Sequence, residues 1–263
     1  MSEEWGEVLE SWESTPAQAL WRAHSDAVNL KLLRRWLPGG PLGRVLKTDL
    51  FDEAVGSGLA GELASRADEM VGIDLAAPVV DAALAAHPEV EGHVADVRRL
   101  PFETARFDLV VSNSTLDHFD SVAEIAIALE ELARVTRPGG RIVVTVDNRG
   151  NPIVALRTSR PFASLFRRLG IVPYELGATC GRRRLARLLS AAGFEVRATE
   201  AMMHCPPQVA AALAARFSRG RSVEHHLRSV LRFEALARWP TRDLTAHFVA
   251  ACAVRGDRPS PRA

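Results

Sequence analysis

The chain has 263 residues, 47% of them hydrophobic, a mean hydropathy of −0.01 and a formal net charge of +1. That suffices for one large globular domain with a modest appendage. No apolar run reaches membrane-spanning length, the start MSEEWGEVLE is acidic, and Cys180, Cys205 and Cys252 lie far apart with no CxxC pair. The expectation is therefore a cytoplasmic protein with no disulfide framework, no structural metal and no integral membrane segment.

The net charge conceals an asymmetry. Residues 1–131 hold 24 acidic and 10 basic side chains, a net of −14, whereas residues 132–263 carry a net of +15. Solvated surface accounts for most such charge, but two halves of opposite sign can also face different ligands.

Residues 1–40 read as an N-terminal helical segment, a cap or lid on the main domain. Ser14 or Thr15 before Pro16 is a helix start, because a hydroxyl caps the first N–H groups and proline has none to lose. Ala17, Leu20, Trp21, His24, Ala27, Val28 and Leu32 then recur at helical spacing until PGGP (38–41) ends the run. Four of the five tryptophans (Trp5, Trp12, Trp21, Trp36) fall here. They either dock the helices onto the main domain or form an aromatic lid over a cofactor.

From residue 43 to about 147, strands alternate with helices. Strands are expected at 44–51, 69–74, 92–96, 107–112 and 141–146, with helices at 58–66, 77–87 and 121–135 and a Pro-Gly turn at RPGG (137–140). Crossovers of this length imply parallel pairing. An insert occupies 148–180, rich in Pro, Gly and Arg, then come a helix at 182–193, a strand at 194–203, helical stretches near 208–217 and 222–238, and a last strand at 243–255. The fold class is α/β, a doubly wound and mostly parallel seven-stranded sheet, with one domain over 41–255 and a tail at 256–263.

At the end of the first strand stands FDEAVGSGLAG (51–61), containing Gly56-x-Gly58-x-x-Gly61. Glycines there let backbone approach a ligand closely, and Asp74, at the end of the second strand, can accept from two ribose hydroxyls. The glycine string alone also fits an NAD(P)-dependent oxidoreductase. Asp52 and Glu53 beside it favour a cationic ligand, since an anion repels a diphosphate but attracts an ammonium or sulfonium.

In this context residues 43–147 resemble the core of the class I S-adenosylmethionine-dependent methyltransferases, a Rossmann-like family. FDEAVGSG is similar to the family's first motif, EMVGIDLA (69–76) to its second and GHVADVRRLPF (92–102) to its third. FDLVVSNSTLDHF (107–119) and LEELARVTRPGGRIVV (129–144) resemble the fourth strand with its loop and the helix-turn-strand after it. The resemblance implies S-adenosyl-L-methionine as cofactor, held by Asp52, Ala54, Gly56, Gly58, Asp74, Leu75, Asp96, Val97 and Asn113. Asp74 would take the ribose, Asp96 the adenine amino group, and the Val97 N–H the ring. Ala54 departs from the usual glycine and KTD (47–49) puts charge into a strand that is usually apolar, so Asp49 competes with Asp52 for the acidic role.

The expected activity is methyl transfer to a small-molecule acceptor on O, N or C. A non-catalytic S-adenosylmethionine-binding protein is the alternative. The loop Asn113-Ser114-Thr115-Leu116-Asp117-His118-Phe119 lacks the Pro-Pro-aromatic signature of enzymes that methylate amide or base nitrogens. His118 is the candidate base, being able to accept a proton near pH 7. His24, Asp117, Asn148, Tyr174 and His204 are the candidate substrate contacts. Eight arginines between 157 and 187 suit an anionic acceptor or a solvated face, and without interleaved aromatics they do not suit nucleic acid. A homodimer stays open.

Overall fold

A computed structural model describes residue 9 and residues 15–159, 177–217 and 223–257. Expectations for Trp5, Trp12, Tyr174, Arg160, Arg167, Arg168 and the final tail from 258 lie outside those residues. Helix α1 (Pro16–Trp36) begins where a hydroxyl precedes proline: Thr15 is the N-cap, its side chain accepts from Gln18 N, and Gln18 reciprocates in a capping box. Leu20, Val28, Leu32 and Leu33 of α1 are buried.

Strands β1 (Gly43–Lys47), β2 (Ala67–Asp74), β3 (Glu91–Val94), β4 (Phe107–Asn113), β5 (Thr136–Asp147), β6 (Phe194–Met202) and β7 (Phe248–Arg255) form one sheet in the order β3-β2-β1-β4-β5-β7-β6. The pairs from β3 through to β5 are parallel, and β7 runs antiparallel to both β5 and β6. Near-continuous apolar strands such as Leu109-Val110-Val111 and Ile142-Val143-Val144 fit a sheet covered on both faces. Their side chains alternate accordingly: Val110, Ile142 and Val144 join one core cluster, Leu109, Val111 and Val143 the other.

The first face is covered by α5 (Val122–Val135) and α7 (Arg182–Ala191). Helix α5 starts at the Ser121/Glu124 capping box and buries Ile125, Ala128, Leu129 and Leu132, one stripe of a 3.6-residue period. The second face is covered by α1 and by α4 (Ala77–Ala86), with two short helices, α2 (Phe51–Val55) and α3 (Ala60–Ala64), between β1 and β2. A third, smaller cluster joins Leu20 of α1 to α8 (Pro207–Phe217) and α9 (Val223–Leu231). Helix α6 (Pro152–Arg157) comes after β5, and a 3₁₀ turn (Arg232–Arg238) with α10 (Arg242–Thr245) precedes β7.

Three boundaries differ from expectation. Strand β1 stops at Lys47 instead of running to 51, because the buried Lys47 ammonium gathers the following turn around itself. RPGG is not a turn between elements: Phe107 pairs with Thr136 and Leu109 with Arg141, so residues 137–140 loop out of a continuous strand, with Gly139 at φ +74°. The final strand starts at Phe248 because 242–245 is helical. The three cysteines are buried, and burial pushes the Cys180 and Cys205 thiols up to about 11, as suits packing residues.

Candidate active site

The site is built outward from an ion pair at the end of β1. Lys47 is one of only two lysines in the chain, and its side chain is 1% exposed. Its Nζ lies 2.7 Å from Glu53 Oε2 and also donates to the Asp49 carbonyl. Glu53 Oε1 accepts from Leu59 N at 2.8 Å and Ala60 N at 3.2 Å. Burial alone would lower the Lys47 pKa; Glu53, Asp49 and Asp52 outweigh it, so the ammonium stays charged.

This arrangement gives the glycine string its role. Gly58 has φ +54°, and a Cβ there would stand 2.3 Å from Glu53 Oε1, so only glycine fits. Gly56 is extended, and Gly61 has open space around its Cβ direction. The backbone N–H groups that a nicotinamide enzyme would offer to a pyrophosphate are already bonded to Glu53. A diphosphate placed there would meet a fixed carboxylate, at roughly 4 kcal/mol of repulsion for charges about 4 Å apart at an effective dielectric near 20. The dinucleotide reading loses its structural basis.

Beside this loop, beyond the carboxyl ends of the parallel strands, opens a cavity of about 570 Å³ including its mouth. Thr48, Asp49 and Phe51 line it from the turn after β1, and Asp74 and Leu75 from the end of β2. Ala95, Asp96 and Val97 come just after β3, while Thr115, His118 and Phe119 belong to the 3₁₀ turn (Leu116–His118) and its flanks after β4. Asp74 lines the cavity with Oδ1 accepting from Ala76 N at 2.9 Å and Oδ2 from Leu50 N at 3.1 Å, and a carboxylate has acceptor capacity beyond these bonds. Asp96 is held by Arg98, with Nη2 at 2.6 Å from Oδ2. Burial would raise the Asp96 pKa, but the Arg98 hydrogen bonds outweigh it and keep the group anionic. Asp49 is pushed well above the usual carboxylate range, by burial first and then by Asp74.

Of the residues expected from the sequence, the cavity gathers Asp74, Leu75, Asp96, Val97 and His118. At the end of β1 it is Asp49, and not Asp52, that lines the cavity. Since the strand ends early and α2 begins at Phe51, Asp52 turns outward to Arg22 of α1, with Nη1–Oδ1 2.6 Å. Ala54, Gly56 and Gly58 also do not line the cavity, being part of the turn around Glu53. Asn113 is buried and accepts from Thr145 Oγ1 at 2.8 Å instead of facing the cavity.

The expected substrate contacts separate similarly. Asn148 donates to the Asp243 and Ala246 carbonyls and accepts from Gly150 N, which fastens the turn after β5 to α10. Both ring nitrogens of His204 are bonded, to Thr245 Oγ1 at 2.8 Å and the Ala201 carbonyl at 3.1 Å. His24 is fully buried against Glu234 at 3.1 Å. Asp117 accepts from Ser114 Oγ at 3.1 Å and from Asp147 N at 2.7 Å. Thr48, Phe51, Thr115 and Phe119 were missed. The signal for Thr48 and Phe51 was a lysine inside an apolar strand, which marks where the strand must end; Thr115 and Phe119 belong to the 113–119 loop after β4.

Helix α1 reaches the cavity wall through Arg22, whose guanidinium lies 5.3 Å from the Phe51 ring centre. Its Asp26 is pushed up to about 7 by burial, then by repulsion from Asp52 and Glu53, with Arg22 and Lys47 opposing. Among the described residues there is no cluster of three or more His, Cys, Asp or Glu side chains that could hold a metal, and no helix long and apolar enough to cross a membrane.

Residues 52–144 match a family model described as a methyltransferase domain. The chain is 26% identical over 186 residues to the biotin biosynthesis bifunctional protein BioHC of Cellvibrio japonicus, covering 70% of this chain and 33% of that one. It is 30% identical over 123 residues to the demethylmenaquinone methyltransferase of Renibacterium salmoninarum, covering 46% and 51%. It thus spans a third to about half the length of these relatives. The fold is shared with a solved S-adenosylmethionine-dependent methyltransferase of Thermotoga maritima, a possible histamine N-methyltransferase. The TM-score is 0.59 at 15% identity, over 97% of this chain and 99% of that one.

Two stability measurements check the loop. Lys47→Met leaves Glu53 buried without its cation and should cost about 3–5 kcal/mol in urea unfolding. Lys47→Met with Glu53→Gln should cost less than Lys47→Met alone, because the glutamine carbonyl still accepts from Leu59 and Ala60. Asp26 binds its proton more tightly folded than unfolded, so its contribution to stability falls as pH rises from about 4 through about 7. Asp26→Asn should therefore raise the melting temperature at pH 8 and leave it nearly unchanged at pH 4. An equal shift at both values would mean that Asp26 does not ionise in this environment.

Proposed function

From the match of residues 52–144 to a methyltransferase-domain model, we propose that the chain is a class I S-adenosylmethionine-dependent methyltransferase that transfers a methyl group to a small-molecule acceptor. One observation carries the reading of the site. Asp49, Asp74 and Asp96, at or just beyond the ends of β1, β2 and β3, surround a single cavity, while Glu53 fills the neighbouring slot for an anion. The cavity is built for a cation carrying hydroxyl and amino donors.

The residues present fit that cofactor. Asp74 would accept from the ribose hydroxyls through its free lone pairs, Asp96 from the adenine amino group, and the Val97 N–H would reach the ring. Asp49 would face the ammonium, which relieves the repulsion between Asp49 and Asp74. The bound cofactor supplies an activated methyl group on a sulfonium. The protein's contribution is alignment, exclusion of water and, where the acceptor carries a proton, its removal. His118, half-buried on the cavity wall, would take that proton.

A non-catalytic binder is the weaker reading. The charged first strand and Ala54 depart from the family's pattern, but both have structural employment: Lys47 holds Glu53, and Ala54 packs against the core beside it. Of the arginines that suggested an anionic acceptor, Arg182 is paired with Asp243 at 2.7 Å, which ties α7 to α10. Arg157 faces the carboxyl end of β5 and is the better candidate on the acceptor side.

S-adenosylhomocysteine should raise the melting temperature, because it binds only the folded state. By calorimetry Asp49→Asn should lose about 1.5–3 kcal/mol of affinity, the range for a hydrogen bond to a charged group, and Asp52→Asn clearly less. The reverse ranking would return the acidic role to Asp52. Asp49 is protonated over a raised range in the free protein and ionised against an ammonium, so binding releases a proton. Affinity should rise with pH through that range in the wild type and not in Asp49→Asn. His118→Ala should slow turnover about 10²–10⁴-fold, with recovery at higher pH, if His118 is the base. A loss below tenfold would assign it to loop structure.

A further inference from the structure

The carboxyl edge of the sheet holds a second group of polar side chains that the cofactor does not use. Asp147 ends β5 and His247 directly precedes β7, and the pairing of Asp147 with Phe248 brings them together. Asp147 Oδ1 and His247 Nε2 are 3.6 Å apart, beyond hydrogen-bonding distance. Each side chain is 10% exposed. Among the described residues no hydrogen bond reaches the Asp147 carboxyl group or the His247 ring; Asp147 makes its bonds through its backbone, to Asp117 and Thr179. Arg157 of α6 acts electrostatically on both, and its Nε is buried with no hydrogen-bond partner.

Buried polar groups in a folded protein are normally satisfied, and the unpartnered Arg157 Nε beside a loosely spaced acid–imidazole pair leaves donors and acceptors for a ligand. His204 differs, with both ring nitrogens bonded. The group also adjoins the cofactor cavity: Asp117, which takes the Asp147 N–H, immediately precedes His118 on the cavity wall. Aromatic rings flank it. Trp21 of α1 and Phe248 lie edge-on to His247, with centres at 5.3 and 4.9 Å.

We propose that Asp147, His247 and Arg157 recognise one hydroxyl oxygen of the acceptor, a reading that rests on the methyltransferase assignment and specifies its substrate class as hydroxylated. Burial and the Arg157 charge push His247 down to about 3, so the ring is neutral and offers one bare nitrogen. Burial and Asp117 push Asp147 well above the usual carboxylate range, which favours its protonated, donating form. A hydroxyl between them donates to the imidazole and accepts from the carboxylic acid, and Arg157 Nε–H supplies a further donor to the same oxygen. A protonated amine in that place would face the guanidinium. These three are specificity-determining residues, and the recognised oxygen need not be the atom methylated.

The test uses the full chain saturated with S-adenosylhomocysteine, titrated by calorimetry with 2-naphthol and, as the probe without a hydroxyl, naphthalene. 2-Naphthol should bind at least about tenfold more tightly, the equivalent of one well-made hydrogen bond to a charged or polarised partner. His247→Gln and Arg157→Gln should each lower the 2-naphthol affinity about tenfold and leave that for S-adenosylhomocysteine within about twofold. In ¹⁵N-histidine NMR the His247 ring signals should move with 2-naphthol and stay in place with naphthalene. Equal binding of the two probes, binding of neither, or an unmoved His247 overturns the inference while the cofactor assignment stands. Failure of S-adenosylhomocysteine to bind removes the methyltransferase reading and this inference with it. If His247→Gln does not fold, the two-probe comparison and Arg157→Gln decide.

Discussion

A lysine ammonium and a glutamate carboxylate 2.7 Å apart, both out of water, set the shape of everything at the carboxyl edge of this sheet. An isolated buried charge is costly enough that the chain must provide partners, and here it provides a complete set. Lys47 takes one oxygen of Glu53 and the Asp49 carbonyl; the other oxygen takes two backbone N–H groups at the start of α3. Strand β1 therefore ends at Lys47, Asp49 comes to face Asp74, and Gly58 is required by contact. The acidic character of the cavity stems from a cation buried behind it.

The same pair explains what could be read in the sequence and what could not. The alternation of strands and helices, the Thr15 and Ser121 caps, Asp74 and Asp96 were legible because each depends on local chemistry: periodicity, a hydroxyl at a helix start, a carboxylate at a strand end. The register of the first loop was not. Asp49 and Asp52 are equivalent as local sequence, and what separates them is a tertiary fact, that Lys47 points inward and Arg22 comes from thirty residues away to claim Asp52. The glycine string misled for a related reason. It marks a close approach, but the approaching group is the protein's own Glu53, and no motif distinguishes a resident carboxylate from a bound phosphate.

Histidines illustrate the limit from the other side. His24, His118, His204 and His247 all lie near the sheet's carboxyl edge or the helices over it, and composition treats them alike. Only partners sort them. His204 is fully bonded, His24 has a glutamate, His118 lines the cavity, and His247 stands 3.6 Å from an acid with no hydrogen bond to its ring among the described residues. His247 carried no sequence signal at all, since it sits inside a stretch that reads as one continuous strand.

Helix α1 connects these two regions, and that gives the N-terminal segment a meaning beyond packing. Trp21 and Arg22 are adjacent in sequence but point to different neighbours, the first to the ring of His247, the second to Asp52 and the face of Phe51. Successive residues on a helix diverge by about 100°, so one turn of α1 contacts the wall of the cofactor cavity and the unsatisfied cluster at once. A displacement of α1 would alter both together. Occupancy of one region biases the other through this helix to the extent that its bound and free states prefer different positions of α1, and that differential preference acts beside the direct link from Asp147 through Asp117 to His118.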